Sequence, residues 1–238
     1  TLNAKAALVA IDEVQRELVN LIEWQMGLNR GYAQILGPVW KRIRAIARAE
    51  GRPVRILDIG AGQGAVLRRL HKRGEREGKA LELFAADLDP VYVAHVNERF
   101  TRDGVPIRAV VADACRMPEV ADGAYDIAMH TFLFHHLTPE RAAASLAEMD
   151  RVSRHGMYIF DLNRGPHVWL GMALGTAPTP HRHARALLHD GLASVRRAYT
   201  PGKVRWLLGE LGLADRYQVK LQWSPPWMGF AWVLGGRG

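Results

Sequence analysis

The segment Asp58-Ile59-Gly60-Ala61-Gly62-Gln63-Gly64-Ala65 gathers residue types suited to holding a nucleoside. Glycines at this spacing let the backbone turn sharply and come close to a ligand, with a helix N-terminus aimed at it. The same letters satisfy the loose dinucleotide pattern G-x-G-x-x-G/A, so the glycines alone leave a nicotinamide cofactor open. Asp58 shifts the balance. A carboxylate near the end of an apolar strand is costly unless it has partners or meets a cation. It would repel a pyrophosphate and favour a ligand carrying ammonium and sulfonium groups.

Two further acids follow at strand ends. Asp87 closes LELFAAD, where an acid can accept from both hydroxyls of a ribose. Asp113 closes Val110-Val111-Ala112-Asp113-Ala114, where it could accept from an adenine amino group. Three acids after three consecutive strands, with the glycine turn after the first, are far more specific than any one of these motifs.

Histidines mark the other half of the site. His130 ends the apolar run YDIAMH, and His135 and His136 lie on the short turn that follows. All three are expected where a reacting group would be presented, with His135 or His136 as a general base. Asp161-Leu162-Asn163 resembles the acid–amide pair of magnesium-dependent catechol methyltransferases. Those enzymes also need an acid where this chain has His130, so no metal is expected. His181-x-His183, with His167 and His189, lacks the spacing of a zinc site. Ser224-Pro225-Pro226-Trp227 matches a short amine-binding signature, but it falls between the last two strands and reads as a turn.

The elements that must position these residues follow from periodicity. Leu8, Ile11, Val14, Leu18 and Leu21 form the stripe of an amphipathic helix over 4–26, and Pro38 opens a second helix carrying Val39, Ile43 and Ile46 and ending at Gly51. From residue 54, apolar runs alternate with helical stretches: VRILDI, then 64–73, LELFAAD, then 90–100, PIRAVVAD, YDIAMH, then 139–153, GMYIFDL. Such runs are strands buried on both faces, and right-handed crossovers wind them into a doubly wound α/β sandwich. Residues 163–199, rich in Gly, Pro and His, are too long for an ordinary connection and read as a substrate-covering insertion. Thr200-Pro201 opens a last helix to Leu211, and RYQVKLQW with FAWVLGG reads as a terminal β-hairpin. One domain over 1–238 is expected: a helical cap at 1–50, a cofactor-binding core at 51–162, the insertion at 163–199, and the last helix and hairpin at 200–238. Trp24, Trp40, Trp169, Phe132 and Phe134 are candidates for the apolar lining of the pocket.

The composition agrees. A chain of 238 residues buries enough surface to fold without staples. The single cysteine, Cys115, excludes an internal disulfide, a cysteine zinc site and the cysteine triplet of radical iron–sulfur enzymes. A cytoplasmic, reducing setting is expected, without a membrane span. The net charge of +8 raises nucleic acid as a partner. Its carriers, Lys41, Arg44 and Arg48 and then Arg68, Arg69, Lys72 and Arg73, recur on helix faces without interleaved stacking aromatics, as solvated surface does.

On these pieces, ILDIGAGQG, FAADLDP, VVADA, YDIAMH with TFLFHHL, and GMYIFDLN, the chain resembles the class I S-adenosylmethionine-dependent methyltransferases over roughly residues 50–162. The resemblance implies a Rossmann-like, mostly parallel seven-stranded sheet, the last strand reversed. It implies S-adenosylmethionine as cofactor. Gly60, Ala61, Gly62 and Gly64 would line its methionine part beside Asp58 and His130, Asp87 would hold the ribose with Leu88 beside it, and Asp113 with Ala114 would meet the adenine. NRGYAQILGPVWKRI resembles ubiquinone and menaquinone C-methyltransferases, and HDGLASVRRAYTPGKVRWLL resembles methyltransferases of bacterial polyketide pathways. The expected acceptor is therefore a small, fairly apolar molecule, phenolic, quinol or polyketide-like, methylated by in-line displacement. The alternatives are an RNA methyltransferase and a non-catalytic cofactor-binding module; a nicotinamide oxidoreductase is more remote.

Overall fold

The computed structural model describes residues 31–176, 184–224 and 228–230. The helix expected at 4–26, with Trp24, lies outside these residues, as do His181, His183 and residues 225–227 of the Ser-Pro-Pro-Trp segment.

Five parallel strands form the central sheet in the order β3-β2-β1-β4-β5. They are β1 (Val54–Ile59), β2 (Leu81–Asp87), β3 (Ile107–Val111), β4 (Ile127–Thr131) and β5 (Met157–Phe160). The order reverses between β1 and β4, and ligands in open α/β sheets bind beyond the strand C-termini at such a switch point. The helices are α1 (Gly31–Glu50), α2 (Ala65–Glu77), α3 (Pro90–Arg102), α4 (Pro139–Val152), α5 (Pro166–Thr176), α6 (Ala184–Arg197) and α7 (Pro201–Glu210). Alternation along each strand splits the core in two. Ile56, Leu83, Ile107, Met129 and Phe160 pack against α1, α2, α3, α5 and α6. Leu57, Ile59, Ala128 and Ile159 pack against α4 and α7.

Local chemistry explains the boundaries. Asp89 caps α3 by accepting from Val91 N–H at 2.8 Å, and Thr138 and Thr200 cap α4 and α7; a proline opens each of the three helices. At the opposite end from the glycine turn, Arg52 grips the buried Asp126 with two bonds of 2.8 and 2.6 Å, and Arg55 N–H adds a third. Burial alone would raise the Asp126 carboxyl, but these donors hold it below the usual range. This network ties the start of β1 to the start of β4. Glu50, Asp126 and His155 bring ligand-type atoms within 4.8 Å of one another there, with the Arg52 cation bound to both carboxylates.

Three expectations change. The central sheet has five strands among the described residues, not seven. β6 (Gln222–Ser224) and β7 (Met228–Phe230) pair antiparallel with each other, Gln222 opposite Phe230, as a separate two-stranded sheet. Residues 217–221 are not strand; Tyr217 is buried there with its hydroxyl 2.5 Å from Asp150, and Arg205 reaches Val219 O. Second, Pro38 does not open a helix but lies inside α1. Third, the insertion contains two helices, whose Val168 and Val195 enter the core. No helix among the described residues is long and apolar enough to cross a membrane.

Candidate active site

The chain turns after β1 through Gly60, Gly62 and Gly64, at φ of 69, 52 and 73°. A Cβ on Gly64 would come within 2.7 Å of the Phe100 ring, so this glycine serves close packing as well as the left-handed conformation. Around Gly62 there is open space, and this is the side a ligand can approach. Gly64 is also the N-cap of α2. It has no side chain to engage the first N–H groups of the helix, which are left for an external acceptor. Ala61 is half-buried beside them.

Asp58 is 1% exposed, and its Oδ1 has no hydrogen-bond partner. Burial pushes its carboxyl up to about 8. The Thr131 hydroxyl stands beside it and offsets part of that rise, though not in hydrogen-bonding geometry, so Thr131 Oγ1 is orphaned too. Gln63 Nε2 and Asn163 Oδ1 are likewise buried without partners. All four atoms lie at or just past the C-terminal ends of β1, β4 and β5. Buried polar groups are nearly always satisfied in folded proteins, and exceptions gathered at a switch point make it the candidate place for a polar ligand. The nucleoside cofactor expected from the sequence fits this arrangement, as its amino and hydroxyl groups would supply the missing partners.

The other two acids extend the site along the sheet. Asp58 is level with Ala85, so Asp87 stands two residues farther out on β2; Asp87 is level with Val111, so Asp113 stands two residues beyond β3's end. With about 4.8 Å between strands and about 3.3 Å per residue, consecutive acids are roughly 8 Å apart, a diagonal suited to an extended ligand. Asp87 is half-exposed, its Oδ1 accepting from Asp89 N–H at 3.1 Å. Leu88 is 61% exposed beside it. Asp113 uses Oδ1 twice, for Cys115 N–H at 2.9 Å and Arg141 at 3.0 Å. Ala114 is buried under it in the core.

His130 requires a correction. The register partner of Asp58 on β4 is Met129, so alternation turns His130 to the opposite face of the sheet. There it is fully buried, with Nδ1 3.1 Å from Ile59 O and Nε2 2.7 Å from Ser145 Oγ on α4. Burial lowers its pKa to about 4, so the ring is neutral. It is a satisfied core histidine, and its side chain has no nitrogen to offer a cofactor.

His135 is the histidine that the fold singles out. Phe132, at φ 57° in the left-handed region, bends the chain sharply after β4. A short 3-10 turn, Phe134–His136, then carries His135 back to Asp161 at the end of β5. His135 Nδ1 lies 2.6 Å from Asp161 Oδ1, and His135 N–H donates to Oδ2 at 3.0 Å. A carboxylate only accepts, so Nδ1 carries the proton and Nε2 is left as the basic atom. Asp161 also accepts from Leu162 N–H. The His136 ring lies 4.1 Å from that of His135, and burial, followed by the neighbouring His135, keeps it below its ordinary value. In the sequence Asp161 reads only as half of a metal motif; its service to His135 depends on two strands meeting.

Beyond this dyad opens a cleft of about 530 Å³. His135, His136 and Leu137 form one wall, and Ala198, Tyr199 and Lys203 another. Tyr199 OH donates to Leu137 O at 2.8 Å and pins the α6–α7 junction over the 3-10 turn. Of the aromatics expected to line a pocket, Trp40 and Phe134 are core, and Phe132 and Trp169 pack partly buried against it.

Known proteins resemble this fold. A family model described as Methyltransferase domain matches residues 56–156. Residues 56–156 are thus matched as a methyltransferase domain. Across 191 residues it is 32% identical to the malonyl-[acyl-carrier protein] O-methyltransferase of Geobacter sulfurreducens, a match covering 76% of this chain and 64% of that protein. The chain thus spans just under two thirds of the length of this relative. Among solved structures, the plantazolicin methyltransferase BpumL superposes with a TM-score of 0.60 at 17% identity, covering 93% of this chain and 91% of that one. A methyltransferase from Aquifex aeolicus gives 0.53 at 17% identity, covering 81% and 88%. These two likenesses concern the methyltransferase fold.

Proposed function

We propose that this protein binds S-adenosylmethionine along the diagonal from Asp58 to Asp113 and transfers its methyl group to a small molecule held in the His135 cleft. The observation that carries this reading is the orphaned, buried Asp58 carboxyl beside the glycine turn, a site incomplete without a cationic ligand. When bound, the cofactor supplies a methyl group already activated by the sulfonium it leaves. What the protein must add is orientation, because holding two reacting groups in line is worth many orders of magnitude in rate. Gly62 gives the ligand room, Asp58 favours its positive charge, and Asp87 is placed for its ribose. His135, oriented by Asp161, takes a proton from an acceptor that must lose one.

The walls formed by Leu137, Pro139, Ala198 and Tyr199 suit the apolar body of a phenolic, quinol or polyketide-like acceptor. The relative that acts on a malonyl carrier protein supports an acyl acceptor in the same class. The basic residues on α1 and α2 do not favour RNA: Arg68 pairs with Asp103 and lies over Phe100, Arg73 pairs with Glu77 and lies over Trp40, and Arg69 lies over Tyr32. Titration calorimetry with S-adenosylmethionine and S-adenosylhomocysteine is the test. Wild type should bind both and Asp87→Ala should bind each more weakly; absence of heat with wild type would remove the reading.

A further inference from the structure

The cleft beyond His135 is more basic than an apolar acceptor needs. Arg164 enters it from the turn after β5, Arg197 from the last turn of α6 and Lys203 from the first turn of α7. Three separate elements therefore converge on one space with like charges. Among the described residues, no carboxylate lies within ion-pair distance of any of the three, whereas Arg44, Arg68 and Arg73 on α1 and α2 each pair with one. Three acids stand near it: Asp161, bonded to His135 at the inner end, Glu140, close enough to feel Lys203, and Asp190, close enough to act on His136; none of the three lines the cleft. Thr138 and Thr200 do line it, so the N-termini of α4 and α7 both face it with the positive ends of their dipoles. Lys203 additionally rests 3.6 Å over the Trp206 ring, which holds the ammonium in place without neutralising it. Like charges collected around a concave surface repel one another until an anion enters, and the concavity focuses their field on it.

We propose that the cleft recognises an anionic group on the methyl acceptor, a carboxylate or a phosphate, held between Arg164, Arg197 and Lys203 with the His135–Asp161 pair at its inner end. The inference rests on the methyltransferase reading for the word acceptor; the anion site itself stands on the cleft. Guanidinium groups suit both anions because their fork matches two oxygens at once. The apolar walls then take the rest of the molecule, so the ligand is amphipathic, with one charged end.

The test uses the full chain saturated with S-adenosylhomocysteine and three probes in titration calorimetry: malonyl-N-acetylcysteamine for a carboxylate, phosphopantetheine for a phosphate, and neutral acetyl-N-acetylcysteamine. At least one anionic probe should bind about tenfold or more tightly than the neutral one. That advantage should vanish in Arg197→Gln/Lys203→Gln, with the S-adenosylhomocysteine heat unchanged. The same loss is expected in Arg164→Glu, an exposed position where folding is not at risk. Which anion holds the advantage tells carboxylate from phosphate. Equal affinity for all three probes, no binding of either anion at millimolar concentration, or an advantage that survives both variants overturns the proposal. Failure of S-adenosylhomocysteine to bind wild type overturns the methyltransferase reading instead, and the probes then report on the anion site alone.

Discussion

Asp161 holds His135 at two points, its Oδ1 2.6 Å from the ring Nδ1 and its Oδ2 3.0 Å from the backbone N–H. The ring can therefore neither rotate nor switch tautomer without breaking a buried bond. Where the acceptor must lose a proton, Asp161→Asn should lower kcat by a hundredfold or so while leaving KM nearly unchanged, because the amide favours the other tautomer. His135→Ala should cost about as much, and the double variant little more, since the pair acts as a unit. Additive losses would show that Asp161 does not work through His135.

Asp58 makes stability depend on pH in an unusual direction. Its folded pKa is raised to about 8 from the ordinary 3.8, so between these values the folded state holds a proton that the unfolded state has lost. Its contribution is fully present below about pH 4 and is lost as pH rises toward 8. His130, lowered to about 4 from 6.5, acts oppositely: the unfolded state binds the extra proton, and stability is lost as pH falls from 6.5 to 4. The two contributions largely cancel between pH 4 and 6.5, leaving a decline from 6.5 to 8. Asp58→Asn should abolish this decline and stabilise the ligand-free protein at pH 8 by a few kcal/mol, to order of magnitude, while weakening cofactor binding. Denaturant melts across this range check it; an unchanged slope in the variant would refute the assignment.

Cofactor binding should release a proton. At pH 7 the ligand-free Asp58 carboxyl is mostly protonated, and a cationic ligand selects its ionised form. Calorimetry of S-adenosylmethionine in buffers of different ionisation enthalpy should show close to one proton released at pH 7, and affinity should rise with pH until about 8. Asp58→Asn should release none.

The glycines separate into two kinds. Gly64→Ala drives a Cβ to within 2.7 Å of Phe100 in a left-handed backbone, and should destabilise the protein by about 2–4 kcal/mol. Gly62→Ala meets nothing in the fold and should cost about 1 kcal/mol from its φ alone, yet it places a methyl group in the ligand's space. Its S-adenosylhomocysteine affinity should fall more than its stability. The reverse order would move the ligand away from Gly62.

His130→Ala should behave as a core variant. Losing the ring leaves Ser145 Oγ and Ile59 O without it, and should cost about 2–4 kcal/mol. At temperatures where the variant is folded, its cofactor affinity should match wild type. A specific loss of affinity would reinstate the histidine at the site.

Much of this protein is written locally. Apolar runs alternating with helical stretches determine the parallel layers, because strands buried on both faces admit few other patterns. Asp58, the glycine turn and Asp87 are legible because chemistry at a strand C-terminus needs only the end of that strand. What depends on register could not be read in one dimension. A step of one residue along β4 separates Met129, level with Asp58, from His130, turned to the other face and sealed against α4. Likewise the His135–Asp161 pair joins residues 26 apart in sequence, and only the adjacency of β4 and β5 brings them together. That β6 pairs with β7 in a sheet of its own, rather than extending the central five strands, is likewise a choice of edge that composition does not record. Sequence placed acids and a glycine turn at the ends of the first two strands; packing and register decided which of the later residues stand beside them.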